Sequence, residues 1–270
     1  MASTPRKQGE TMAILLLAPI AISCVWLAGF LLVNDFSAPL RNARAFRRVL
    51  VIFPHADDEA VTCAGFLHRL SARGCAVTLV ILTQGERGTP DATVSLSLKE
   101  IRTQEAQSVA RILKVARYIQ QDFGDGELHR RKPELRAFVG KLIEQERPEL
   151  LVTYDLTGLY GHADHVACSE VVTDLHMNTF HMIPLWYVTL SKRVLKGTTV
   201  PDHITPVTAT TAQRTYPVHR VFIGASVIPK IKSWYAYKSQ QASLREGIRR
   251  YLPVWFFVSM TLFEYFAEAR

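Results

Sequence analysis

Short apolar, β-branched runs alternate with stretches of helical period through the middle of this chain, and that alternation limits its folds more than any other feature. Residues 48–53 form the first such run; Ala60, Cys63, Ala64 and Leu67 then recur at the i, i+3, i+4, i+7 spacing of one helix face. Residues 76–83 repeat the strand pattern, and Ala106, Val109, Ala110 and Leu113 repeat the helical one. A third strand is expected over 116–120. A helix opened by Pro133 follows, with Leu135, Phe138, Val139, Leu142 and Ile143 on one face, then a strand over 150–154. A helix from near His162 and a strand over 185–190 complete the readable part, whereas 191–217 is rich in Thr and Pro and has no period. Strands alternating with helices of this length predict an α/β, Rossmann-like fold with a mostly parallel sheet and helices on both faces. No GxGxxG follows the first strand, which argues against a dinucleotide.

The ends differ from the middle. Residues 12–33 carry no charge and at helical rise would reach about 33 Å, against about 30 Å of bilayer hydrocarbon. A transmembrane helix is therefore expected there, with a cleaved signal peptide as the competing reading. Residues 252–263 are uncharged and aromatic but too short to span, so an interfacial helix with Trp255, Phe256 and Phe257 in the acyl boundary, or a buried core helix, is expected. The chain has a net charge of +8, and its basic residues gather beside the two apolar ends: Arg41, Arg44, Arg47 and Arg48 after the first, Lys230, Lys232, Lys238, Arg245, Arg249 and Arg250 before the last. That placement favours membrane lipids over nucleic acid as the partner. The arginine excess after the first segment, compared with Arg6 and Lys7 before it, places the main domain in the cytoplasm. The expected division is a tail (1–11), a transmembrane helix (12–33), a basic linker (34–47), a catalytic domain (48–245) and a C-terminal membrane-associated helix (246–270). Cys24, Cys63, Cys75 and Cys168 show no CxxC spacing, so neither a disulfide framework nor a thiolate zinc site is indicated.

In an open α/β sheet, ligands bind at the carboxyl ends of the strands. Two polar clusters lie at such exits. His55-Ala56-Asp57-Asp58-Glu59 follows the first strand; its acids alone would suit a helix N-terminus, but a histidine beside them does not, and His with Asp is a natural N and O ligand pair for zinc. Gly161-His162-Ala163-Asp164-His165 follows the strand over 150–154, with its two histidines three residues apart. Together the clusters supply a three-ligand zinc site with a position open for water, and spare acid and base groups.

These residues resemble the PIG-L or LmbE-like deacetylases over roughly residues 48–173. The family's His-Pro-Asp-Asp-Glu motif is matched by His55 to Glu59 and its His-Pro-Asp-His motif by His162 to His165, with alanine replacing both prolines. Residues 84–88, 102–105, 124–128 and 153–165 are similar to bacterial members. The resemblance implies zinc, or another divalent metal such as Fe2+, on His55, Asp58 and His165, and Asp57 as general base. It implies that His162, oriented by Asp164 and aided by Tyr160, stabilises the oxyanion or protonates the leaving amine. Glu59 would brace the metal ligands, and Arg102 would hold a substrate phosphate or hydroxyl unless it is an ordinary exposed helix residue.

The implied activity is that of an amidohydrolase removing the acetyl group of an N-acetylglucosaminyl compound. The apolar ends favour a glycolipid, N-acetylglucosaminyl-phosphatidylinositol, on a single-pass protein of the endoplasmic reticulum or the cell membrane. A soluble N-acetylglucosamine conjugate of the mycothiol, bacillithiol or antibiotic type, and a non-catalytic glycolipid-binding membrane protein, are the alternatives.

Overall fold

The computed structural model describes residues 5–42, 46–88, 96–197, 215–242 and 252–269. The strands are β1 (Arg48–Phe53), β2 (Ala76–Ile81), β3 (Arg117–Gln120), β4 (Leu150–Tyr154), β5 (Leu185–Thr189), β6 (His219–Phe222) and β7 (Phe263–Glu268). They form one sheet in the order β3-β2-β1-β4-β5-β7-β6. Pairing is parallel from β3 through β5, and β7 runs antiparallel to both β5 and β6. The first five strands are those the apolar periods predict.

Period-two alternation divides the interior into two cores. Val49, Val51 and Phe53 of β1 face a cluster with Ala60, Phe66, Leu67, Val109 and Trp234; Leu50 and Ile52 face Leu135, Val139, Leu142, Cys168 and Val172 on the other side. Both faces of β1 are thus covered, which is why its sequence is a continuous apolar run. Helices α3 (Ala64–Ser71), α4 (Leu96–Ile112) and α9 (Val227–Ala236) pack together on the first face, and α5 (Lys132–Glu146) and α7 (Ala163–Asn178) on the second.

The C-terminal region departs from the sequence reading. In place of a membrane-associated helix running through 246–270, a short α10 (Val254–Met260) is followed by β7, inserted between β5 and β6. β7 escapes a period search because its Glu264 is buried: the carboxylate accepts from the backbone N–H groups of Gly65 (3.0 Å) and Phe66 (2.6 Å) at the start of α3 and from Lys230 Nζ (2.7 Å). Partnered in this way, a charged residue occupies a core position.

The transmembrane expectation is overturned: among the described residues, no helix is long and apolar enough to cross a membrane. α1 (Pro5–Val33) contains Pro19, and its last turns are packed into the fold. Trp26 Nε1 donates to Ser259 Oγ at 2.9 Å, Ser191 Oγ donates to the Val33 carbonyl at 2.6 Å, and a Cβ on Gly29 would stand 2.2 Å from Met260 Sδ. The apolar run before residue 34 thus serves partly to dock a helix on α10, and the single-pass membrane localisation falls with the span. Lipid partners are likewise unsupported. Arg44, Arg245, Arg249 and Arg250 lie outside the described residues, as do the side chains of Arg6 and Lys7 and most of the aperiodic stretch, 198–214.

Candidate metal centre

The loops leaving β1, β2, β3 and β4 meet at the carboxyl edge of the sheet, and the two sequence clusters converge there. His55 Nδ1 and His165 Nε2 lie 3.2 Å apart, Asp58 Oδ1 lies 3.3 Å from His165 Nε2, and Asp58 Oδ2 lies 3.9 Å from His55 Nδ1. Four ligands at zinc bond lengths of about 2.0–2.2 Å in a tetrahedron are separated by about 3.4 Å, so these three donors already stand near the edges of such a site.

Hydrogen bonds fix which nitrogens face inward. His165 Nδ1 lies 3.2 Å from the Gly158 carbonyl, which can only accept, so the proton is on Nδ1 and Nε2 presents a lone pair. His55 Nε2 lies 3.2 Å from both Asp125 Oδ1 and Asp164 Oδ2, which places its proton there and leaves Nδ1 as the inward atom. Burial opposes charge on His55, but Asp125, Asp164 and Asp58 outweigh it and hold its pKa well above the ordinary value. Burial raises Asp58, yet His165 and His55 dominate and hold its carboxyl below the usual range. Two imidazole lone pairs and a carboxylate aimed at one point call for a cation, and their chemistry fits zinc. His162 lies alongside, close enough to His55 and His165 to be an alternative donor.

Asp57 adjoins this point with an unusual backbone, φ 123° and ψ −21°, a region that strains any residue but glycine. Burial pushes its carboxyl up to about 6 despite Arg102, whose guanidinium lies 3.6 Å away. Arg102 is only 2 % exposed, which removes the reading of it as an ordinary exposed helix residue. It donates to the Ala56 carbonyl (2.8 Å) and the Gly85 carbonyl (3.1 Å), joining the loops after β1 and β2. A Cβ on Gly88 would fall 1.6 Å from its Nη1, so the glycines of that loop make room for the guanidinium. Glu59 is fully buried, is pushed up to about 8 by burial, and accepts from the Tyr237 hydroxyl and, at 3.4 Å, from the Asp57 backbone N–H.

His162 accepts the Asp164 backbone N–H on Nδ1 at 3.2 Å, so its neutral ring carries hydrogen on Nε2. Burial, with His55 and His165 adding to it, lowers its pKa to about 3 and keeps it neutral. Here one expectation changes: the Asp164 side chain does not orient His162. Its oxygens accept from Gly126 N (2.6 Å), Leu128 N (3.1 Å) and His55 Nε2, so it steadies His55. The Tyr160 ring lies 5.0 Å from that of His165.

Two residues escaped the sequence reading. Asp125, in the loop after β3, shares His55 with Asp164; its place between Gly124 (φ +83°) and Gly126 (φ +81°) was the available signal. Tyr154, read as the end of β4, donates to Asp58 Oδ1 at 2.9 Å and stacks on His165 with ring centroids 4.4 Å apart.

The chain is 33% identical over 133 residues to a probable N-acetyl-alpha-D-glucosaminyl L-malate deacetylase 2 of Bacillus anthracis, covering 47% of this chain and 58% of that protein. It is 37% identical over 123 residues to a diacetylchitobiose deacetylase of Thermococcus kodakarensis, covering 44% and 45%. The chain thus spans about half the length of these relatives. In three dimensions it is similar to the N,N'-diacetylchitobiose deacetylase of Pyrococcus horikoshii, with a TM-score of 0.62 over 100% of this chain and 94% of that one; at 19% identity this shows a shared fold. The family profile described as "PIG-L: GlcNAc-PI de-N-acetylase" matches residues 50–176, the segment that holds both clusters and every loop between them. This chain therefore carries a domain of the PIG-L (LmbE-like) deacetylase family.

Proposed function

We propose that this domain hydrolyses the N-acetyl group of an N-acetylglucosaminyl conjugate, releasing acetate and a free amine. The observation that carries the proposal is the convergence of His55 Nδ1, His165 Nε2 and the Asp58 carboxylate beside a raised carboxyl on Asp57 and a neutral His162. These three donors hold zinc in this reading, with Asp164 and Asp125 setting the His55 tautomer. Bound zinc supplies Lewis-acid polarisation of the acetyl carbonyl and makes water more acidic. Asp57, as general base, takes a proton from water while the water oxygen bonds to the acetyl carbon. His162, protonated on Nε2 and held neutral, donates a hydrogen bond to the oxyanion, and Tyr160 lines the same side. As the C–N bond breaks, Asp57 returns its proton to the amine nitrogen. Arg102 and Glu59 hold the Asp57 loop rather than the substrate.

For the acceptor, the names of the relatives favour a water-soluble conjugate over a lipid: an L-malate glycoside, a chitobiose and a 1D-myo-inositol glycoside. A second reading, N-acetylglucosaminyl-phosphatidylinositol, is favoured by the description of the family profile. The test is acetate release from N-acetylglucosaminyl malate, diacetylchitobiose, N-acetylglucosaminyl inositol and the phosphatidylinositol lipid, with chelator, after zinc restoration and with Asp57→Asn. Zinc- and Asp57-dependent release from a soluble substrate supports the first reading, release from the lipid alone supports the second, and no release from any of them rejects both.

A further inference from the structure

We infer that Tyr237 is a positioning residue for the acid loop Asp57-Asp58-Glu59, reaching it from a part of the chain outside the family-matching segment. The inference rests on the reading of that loop as base and metal ligand. Tyr237 follows α9 directly, is 1 % exposed, and its hydroxyl donates to Glu59 Oε1. The other oxygen of the same carboxylate accepts the Asp57 backbone N–H at 3.4 Å. Glu59 thus bridges a phenol on the α9 side to the peptide of a residue at φ 123°. A backbone in that region persists only where surrounding contacts over-determine it.

The contacts around Tyr237 are those of a clamp. Trp234 Nε1, three residues earlier, donates to the Ala60 carbonyl at 2.8 Å, gripping α2 (Asp58–Thr62) one residue beyond Glu59. On the other side, Ser239 donates through its backbone N (2.9 Å) and Oγ (2.6 Å) to the two oxygens of Glu105, one turn along α4 from Arg102. Arg102 in turn holds the Ala56 carbonyl. The acid loop is therefore gripped from both ends, by α4 on its N-terminal side and by the α9 exit on its C-terminal side, and Ser239 with Glu105 joins the two grips. The Tyr237 hydroxyl is the clamp group that touches the acid loop directly and can be deleted without changing the volume of a packed side chain appreciably.

The measurement is Co2+ affinity of the metal-free full-length protein, read from the visible absorption of bound cobalt, together with kcat and KM for a soluble N-acetylglucosamine conjugate. The variants are Tyr237→Phe, Glu59→Gln and the pair. Tyr187→Phe is the control, since it deletes a part-buried hydroxyl on β5 whose partner is Thr173 Oγ1 at 2.9 Å and none of the acid-loop residues. Tyr237→Phe is expected to weaken cobalt binding and lower kcat, each by roughly tenfold, with KM within about twofold and the paired variant less than additive. Tyr187→Phe should change neither quantity. Cobalt affinity in Tyr237→Phe equal to that of the wild type or of the control overturns the inference. If the wild type releases no acetate, the activity reading fails on its own, and cobalt affinity still decides the role of Tyr237.

Discussion

His55 Nδ1 and His165 Nε2 face each other at 3.2 Å, each with its other nitrogen committed to an acceptor, so neither has a proton to give when both rings are neutral. A cation between them removes that opposition, either an added proton on His55 or a metal ion, and zinc held by both rings and Asp58 should therefore stabilise the fold. At a free zinc concentration about a hundredfold above Kd, binding to the native state alone is worth about 2.7 kcal/mol, or roughly 5–10 °C in Tm for a domain of this size. Scanning calorimetry with chelator and with zinc should show that rise in the wild type and none in His165→Ala. An unchanged wild-type Tm would count against a metal centre.

Asp57 combines a strained backbone with a buried carboxyl. Glycine and alanine at this position both remove the carboxylate beside Arg102, and only glycine relieves the backbone, so Asp57→Gly should be more stable than Asp57→Ala by about 1–3 kcal/mol in urea unfolding, while acetate release falls by roughly 10²–10⁴ in both and zinc is retained. An Asp57→Gly variant no more stable than Asp57→Ala would mean that the loop conformation is not strained.

Lys230 and Glu264 form a buried pair at 2.7 Å, and Glu264 also receives the first N–H groups of α3. Lys230→Met leaves that carboxylate without its cation and should cost about 3–5 kcal/mol. Adding Glu264→Gln should recover part of the loss, so the double variant is expected to be more stable in urea than Lys230→Met alone.

His219, buried between Trp186 and Phe266, has its pKa lowered to about 4 by burial and by Arg41, against the opposing pull of Glu268. The unfolded chain binds the proton near pH 6.5 and the native state only near 4, so between these values the unfolded state holds more protons. Stability contributed by neutral His219 is thus present above pH 6.5 and is lost as pH falls toward 4. The expected loss is roughly 2–3 kcal/mol. Urea titrations at pH 7.5 and 4.5 should show a smaller difference between the two pH values for His219→Phe than for the wild type.

Periodicity along the chain is a local property, and it was sufficient for β1 to β5, which are buried apolar runs apart from the partly exposed edge strand β3, and for the helices between them. The two acid-and-histidine clusters were legible for a related reason: each lies within a few residues of a strand exit, where the topology of an α/β sheet collects ligands. Partnerships made across the sheet were not legible. Whether an apolar helix crosses a lipid or docks on Ser259 and Met260 depends on residues more than two hundred positions away. β7 carries a buried acid that only Lys230 and the start of α3 make tolerable. Sequence spacing placed Asp164 beside His162, yet its carboxylate turns to His55, because Gly126 and Leu128 present their N–H groups on that side. Arg102, an unremarkable position on a helix, is drawn inward by two carbonyls and two glycines. The sequence by itself determined the α/β layering and the residue types at the two strand exits, because these follow from hydrophobic period and local order. Only the tertiary structure decided which lone pairs meet, which carboxylate serves which histidine and which side chains are buried, because those depend on contacts between residues far apart in the chain.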